Sequence, residues 1–225
     1  MSRISFFYLL LLLLVNNLQG QDFSFSLAYQ NSRIPEWDKA IQTYNFTRPF
    51  LSNRQPLFTH GLQAEARYYF KSGRGIVHGL HLAYGWQRSV AENPNLRSAL
   101  HFHLVQPGYF RQFTPPGRTQ GWMVQAGASL LLGGIFRAIN DEALVYDEAT
   151  AKAWGVGSRI QAQLGYQFAG TDKPGWQPFV EMGYVPYYYA PQAEAILNQT
   201  TGLTSKNWTS MWSAQVGVRM LVGGK

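Results

Sequence analysis

Apolar and polar residues alternate with period two along eight stretches of the chain. In residues 22–29, Phe23, Phe25, Leu27 and Tyr29 alternate with Ser24, Ser26 and Ala28. The clearest case sets Trp154, Val156, Ile160, Ala162, Leu164, Tyr166 and Phe168 against Gly155, Gly157, Arg159, Gln161, Gln163, Gly165 and Gln167. Alternation of this kind marks strands with two different faces. The other six stretches lie near residues 57–70, 79–87, 100–104, 121–136, 180–184 and 212–222. In the fourth, Leu100, Phe102 and Leu104 are assigned to the apolar face and His101 and His103 to the polar one.

The connections alternate as well. They are short at 71–75, 114–120 and 170–175, and long at 30–56, 88–97, 137–153 and 190–207. An even-stranded barrel with both termini on one side of a membrane predicts three tight turns and four long loops. Aromatics gather at both ends of the apolar face: Tyr68, Phe70, Trp122, Tyr166 and Phe168 toward the turns, and Trp86, Phe136, Trp154, Tyr184 and Trp212 toward the loops. Such belts mark the two interfaces of a bilayer.

A soluble ligand-binding barrel carries its apolar face inward and a wet face outward. The polar faces here are built of Gly, Ser, Gln and His with a few Arg and Glu, and they lack the dense Lys, Glu and Asp of a solvated exterior. The pattern therefore predicts an all-β fold, an eight-stranded antiparallel up-and-down transmembrane β-barrel. Ahead of the strands, Arg3 and an apolar run from Phe6 to Val15 end in Asn16-Asn17-Leu18-Gln19-Gly20. This reads as a secretory signal peptide over residues 1–20, with the barrel domain spanning 21–225. The run is too short for a spanning helix, which needs about 20 residues.

Composition narrows the chemistry. The 225 residues include no cysteine, which excludes disulfides, thiolate metal sites and a cysteine nucleophile. A net charge of +7 raises the question of nucleic acid. Lys71, Arg74, Arg111, Arg118 and Lys173 are dispersed among connections, however, and no basic run interleaves with aromatics, so no nucleic-acid surface is expected.

The mature chain resembles the small eight-stranded outer-membrane barrels of Gram-negative bacteria, the group typified by the OmpA transmembrane domain and OmpX. Its last strand, Gln215-Val216-Gly217-Val218-Arg219-Met220-Leu221-Val222, looks like the assembly signal of that group, although the chain continues through Gly223-Gly224-Lys225 where many members stop at an aromatic. The resemblance implies a bacterial outer-membrane location with periplasmic termini. It also implies contact with outer-membrane lipid or lipopolysaccharide, and loops available to a protein partner.

Parity directs Glu65, Arg67, His81, His101, His103, Gln125, Ser129, Arg159, Gln161, Gln163, Glu181, Gln215 and Arg219 into the lumen. Eight strands enclose only enough space for side chains, so a paired polar network is expected there. No carboxylate is spaced to complete a metal site with His81, His101 and His103, and no cofactor motif is present; neither a metal nor a cofactor is expected. Outer-membrane lipid A deacylases pair His and Ser two apart on the lipid-facing surface. No His-x-Ser occurs in this chain, and His60, turned outward, has Thr59 and Gly61 beside it. The expected role is structural or loop-mediated interaction, without catalysis; a narrow channel or small-solute transporter and a lipid A-modifying enzyme stand as alternatives. The connection 30–56 carries Trp37, Tyr44, Phe46 and Phe50, suited to packing over the barrel mouth or meeting a partner. The connection 137–153 carries Asp141, Glu142, Asp147 and Glu148 without the spacing of a calcium loop.

Overall fold

The computed structural model describes residues 23–49, 53–54, 56–57, 59–70, 76–93, 96–113, 120–139, 151–168, 175–190, 196 and 207–222. The proposed signal peptide, the acidic residues of 137–153 and the last three residues lie outside these. The strands are β1 (Phe23–Arg33), β2 (His60–Phe70), β3 (Ile76–Asn93), β4 (Leu96–Phe113), β5 (Gly121–Ile139), β6 (Ala151–Gln167), β7 (Gly175–Tyr189) and β8 (Trp208–Val222). They pair antiparallel in sequence order, and β1 pairs β8 as well as β2, which closes the sheet into a barrel. Closure removes both edges, so every strand has a hydrogen-bonded neighbour on each side.

The outer wall is apolar. Leu27 is 73% exposed and Met182 65%, and Leu62, Leu82, Val124, Ile160, Val180 and Val216 stand out in the same way. A soluble monomer does not present so continuous an apolar surface. Aromatics ring both ends: Tyr109, Phe113, Trp122 and Trp176 near the turns, and Tyr84, Trp86, Trp154, Trp208 and Trp212 near the loops.

The lumen is filled in three layers. Tyr69, Phe110, Met123 and Phe179 close the turn side, ionic and amide side chains fill the middle, and an apolar cluster fills the loop side. That last layer depends on a helix, α1 (Pro35–Thr47), which follows β1 directly. Pro35 presets the backbone of its first turn, and Glu36 and Asp38 sit where the helix dipole favours acids. Trp37, Ala40, Ile41 and Tyr44 recur at helical spacing on the buried face. The Trp37 ring meets Phe102 edge-on at 4.8 Å between centroids and Tyr188 at 6.2 Å. After the helix, the chain is tied to the rim of β3 by a two-way backbone bridge between Asn53 and Glu92 and by Asn53 Nδ2 donating to Glu92 Oε1 at 2.7 Å.

This apolar layer corrects the reading of β4. Leu100, Phe102 and Leu104 point into the lumen, where they are fully buried in the cluster around α1. His101 pairs with Arg88 and Phe136, and His103 pairs with Trp86 and Gly134, which places both histidines on the outer wall. Parity equates the apolar face with the lipid-facing one. It fails where the lumen itself is apolar, and there only the register identifies the inside. The connection 88–97 is corrected too. β3 and β4 stay paired up to Asn93 and Leu96, so that hairpin extends as strands beyond the apolar band.

In β7 a one-residue register shift between Val185 and Tyr188 spans Pro186, which has no N–H to give to the ladder. The shift turns Tyr188 inward and leaves Tyr187 and Tyr189 on the wall with Trp208. Tyr188 reaches across to donate to the Gly133 carbonyl at 3.1 Å. A β-carbon at Gly133 would collide with its hydroxyl and one at Gly155 with the phenol end of its ring, so both positions need glycine for this close approach.

Because Trp37 is the largest apolar anchor of α1, Trp37→Ala is expected to weaken docking of the helix by about 3–5 kcal/mol. Limited trypsin digestion of the folded barrel should then cut after Lys39, while the barrel still migrates fast when unheated. Equal resistance to trypsin in the native and variant proteins would show that Trp37 does not hold the helix.

Candidate functional site

The middle layer is built from alternate residues of seven strands, β2 to β8. Arg67 Nη2 lies 2.8 Å from Glu65 Oε2 and 3.6 Å from Glu181 Oε2. Arg159 Nη2 lies 2.9 Å from Glu181 Oε1 and 3.0 Å from Ser213 Oγ. Arg219 Nη2 lies 3.7 Å from Glu65 Oε2. His81 Nδ1 is 3.4 Å from Glu65 Oε1 and from Gln161 Nε2. All these ionic groups are buried.

Three arginines face two glutamates, and glutamine carbonyls absorb the difference. Gln163 Oε1 accepts from both Arg67 and Arg219 at 2.9 Å. Gln106 Oε1 accepts from Arg159 and Gln177 Oε1 from Arg219, each at 2.8 Å, and Gln125 accepts from Arg67. Gln63 joins Gln215 to Gln106. Toward the turn side the guanidinium groups of Arg67 and Arg219 lie over the rings of Phe110 and Phe179 at 5.0 and 4.9 Å. Gly183 leaves room for the Arg159 guanidinium, which a β-carbon would strike.

Of the residues assigned to the lumen from sequence, Glu65, Arg67, His81, Gln125, Ser129, Arg159, Gln161, Gln163, Glu181, Gln215 and Arg219 all face inward. His101 and His103 do not. On the outer wall, the His101 ring stacks on Phe136 at 4.9 Å with an interplanar angle of 4°, and His103 lies at 5.1 Å on the same ring. His103 Nδ1 is hydrogen-bonded to Tyr84 Oη, as His60 Nδ1 is to Tyr29 Oη. Sequence reasoning missed Gln63, Gln106 and Gln177 as partners in the network. Gln63 stood on the polar face of its strand beside Glu65, so parity alone could have found it. Gln106 was hidden by the inverted reading of β4. Among the described residues no group of three or more His, Asp or Glu side chains is arranged to hold a metal ion.

At the mouth, Asp38 lies mostly buried in the first turn of α1, 3.9 Å from the exposed Arg33 guanidinium, and its Oδ1 has no hydrogen-bond partner. Burial pushes its carboxyl above the ordinary aspartate range, against the opposing pull of Arg33 and of a backbone hydrogen bond at Ile34. The other face of the helix is open, and Phe46 is 87% exposed there.

The surface now decides the class. The chain is a membrane-spanning β-barrel. No protein-family model and no curated protein matches it. Solved outer-membrane barrels are similar in fold. One is Ail, the attachment invasion locus protein of Yersinia pestis, in complex with the heparin analogue sucrose octasulfate; its TM-score is 0.48 at 10% identity, covering 90% of this chain and 99% of that one. Neisserial surface protein A matches with a TM-score of 0.47 at 9% identity, over 91% and 97% of the two chains. The N-terminal β-barrel domain of Pseudomonas aeruginosa OprF matches with 0.41 at 12% identity, over 88% and 96%. The closed strand order and the lipid-type exterior, rather than these superpositions, carry the assignment.

Two outcomes follow from this geometry. Glu181→Ala strips Arg159 of its carboxylate and should cost about 3–5 kcal/mol, because a buried cation is left uncompensated. Replacing both Arg159 and Glu181 by Met should recover most of that loss, and urea unfolding in lipid vesicles measures both; a single variant as stable as the native barrel would remove the network from the stability argument. The second concerns α1. A carboxyl held above its ordinary range binds its proton more tightly in the docked helix, so docking is strongest in acid and weakens as pH rises from the ordinary aspartate range through the raised value. Hydrogen-exchange protection of α1 should fall over that interval by about tenfold per unit of displacement, and should stay level in Asp38→Asn.

Proposed function

We propose that this is a closed barrel of a Gram-negative outer membrane, with both termini periplasmic, which anchors an outward rim for contact and neither passes solutes nor catalyses a reaction. The observation that carries the reading is the obstruction of the lumen through its full height. Aromatic rings close the turn side, the Arg–Glu–Gln network fills the middle, and α1 with its apolar cluster fills the loop side. An ion crossing would have to break charge-assisted hydrogen bonds in a low-dielectric interior before it met the plug.

The orientation is favoured by the ends of the barrel. At one end the strands are joined across 71–75, 114–120 and 168–174. The other end carries α1 and the β3–β4 hairpin that outruns the apolar band. A rim built this way suits contact with a partner. Gln42, Asn45, Phe46, Pro49 and Arg54 border an open hollow of about 470 Å³ on the outward side of the helix, a mixed apolar and polar surface of the kind protein partners use. A non-enzymatic role is favoured by the outward histidines, which hydrogen-bond to tyrosines and stack on Phe136, with no serine paired to them among the described residues.

The test has three parts. The protein should fractionate with the outer membrane and migrate faster unheated than heated. In planar bilayers it should give conductance at background. Lipid A from cells with and without it should give identical mass spectra. Steady single-channel openings would overturn the closed reading, and an altered lipid A would overturn the non-enzymatic one.

A further inference from the structure

Hydrogen bonding and charge balance are separate requirements, and the middle layer of the lumen meets them unequally. Arg67, Arg159 and Arg219 carry three positive charges, since a guanidinium group keeps its proton inside a protein. Glu65 and Glu181 are the acidic side chains buried beside them among the described residues, and they return at most two. His81, 3.4 Å from Glu65 Oε1, can only add positive charge. The carbonyls of Gln106, Gln125, Gln163 and Gln177 accept hydrogen bonds from the arginines but contribute no net charge. The layer therefore keeps a surplus of at least one positive charge. The rings of Phe110 and Phe179 on one side and the apolar cluster around α1 on the other hold solvent counterions away from it.

The surplus gathers at one place. Arg67 and Arg219 stand on β2 and β8, the two strands that flank β1. Their Nη2 atoms each lie 2.9 Å from Gln163 Oε1, so two guanidinium groups meet on one neutral oxygen. The Glu65 carboxylate favours Arg67, at 2.8 Å against 3.7 Å to Arg219. Both arginine side chains are wholly buried, and the Nε–H of each has no hydrogen-bond partner. The same holds for the amide nitrogen of Gln125, whose oxygen accepts from Arg67. Three unused donors thus border the pair that carries the excess charge.

We infer that the Arg67–Arg219 pair is a binding site for one halide-sized inorganic monoanion, chloride in a physiological medium. Each part of that description has its own reason. The free groups at the pair are N–H donors, so the occupant is an acceptor. A surplus of one unit calls for a single negative charge. Eight strands enclose space only for side chains, so the ion is small. A water molecule would satisfy the donors and leave the charge uncompensated, which a low-dielectric interior penalises. Because the layer is sealed on both sides, the ion enters as the barrel closes and leaves when it unfolds. It belongs to the folded structure and does not pass through it.

The experiment follows urea unfolding of the full barrel in lipid vesicles, in chloride and in gluconate, an anion too large for the lumen, at constant ionic strength. Above the dissociation constant, the unfolding equilibrium constant of the native barrel should fall about tenfold for each tenfold rise in chloride. Gln163→Glu puts a fixed carboxylate at the oxygen that the two guanidinium groups already share, with little change of shape. That variant should be as stable in gluconate as the native barrel is in chloride, and chloride should not stabilise it further. Arg219→Met removes the surplus from the other side and should also lose the chloride response. Crystals grown in bromide should give an anomalous scattering peak beside Arg67 and Arg219. Equal unfolding of the native barrel in chloride and gluconate, or no bromide at the pair, would overturn the inference. So would a Gln163→Glu barrel with the native chloride response, since the salt would then act elsewhere. A bromide peak at the pair with no chloride effect on unfolding marks an adventitious ion only, and overturns it too.

Discussion

Closing eight strands leaves a lumen that side chains must fill, and the charge balance of that filling constrains everything else in this barrel. Arg67, Arg159 and Arg219 are buried, and each requires acceptors within reach. Glu65 and Glu181 supply two carboxylates. Gln106, Gln125, Gln163 and Gln177 supply amide carbonyls that spread the surplus positive charge. These side chains come from different strands, so the network is satisfied in only one register. A slip of one residue in any of them would turn its contribution out into lipid. The ionic layer thus acts as a register lock as much as a source of stability. Each of its charges needs an opposite charge or an amide carbonyl within reach, because an isolated buried charge costs several kcal/mol.

The barrel's existence was legible because lipid imposes a strict rule on the outer face. Leu27, Leu62, Val124, Ile160 and Val216 obey it, and their partners two residues apart share their face. Residues next to them, such as Glu65, Gln163 and Arg219, were therefore assigned inward by counting. Counting gives direction only where the apolar face is the one turned to lipid. In β4 it is not: Leu100, Phe102 and Leu104 meet Trp37 and Ile41 inside, while the outer face carries His101 and His103 at the aromatic belt. The signal for this inversion lay elsewhere in the chain, in the spacing of Trp37, Ala40, Ile41 and Tyr44 along what reads as a loop. A helix with an apolar face needs an apolar partner, and inside a barrel mouth only the strands can provide one. Strand length was misread for a related reason. Polar residues in 88–97 mark the exit from lipid, not the end of pairing.

The same interior is the reason the proposed role falls to the outside. A lumen filled by a register lock below and a helix above cannot rearrange without losing paired charges or apolar burial. What remains free to vary is the outer wall between the belts and the rim above them. The glycines show how tightly the two are linked. Gly133 and Gly155 let Tyr188 lie along the inner wall over β6 to reach β5, and the bulge that turns Tyr188 inward is also what brings Tyr187 beside Ser158 on the outer wall.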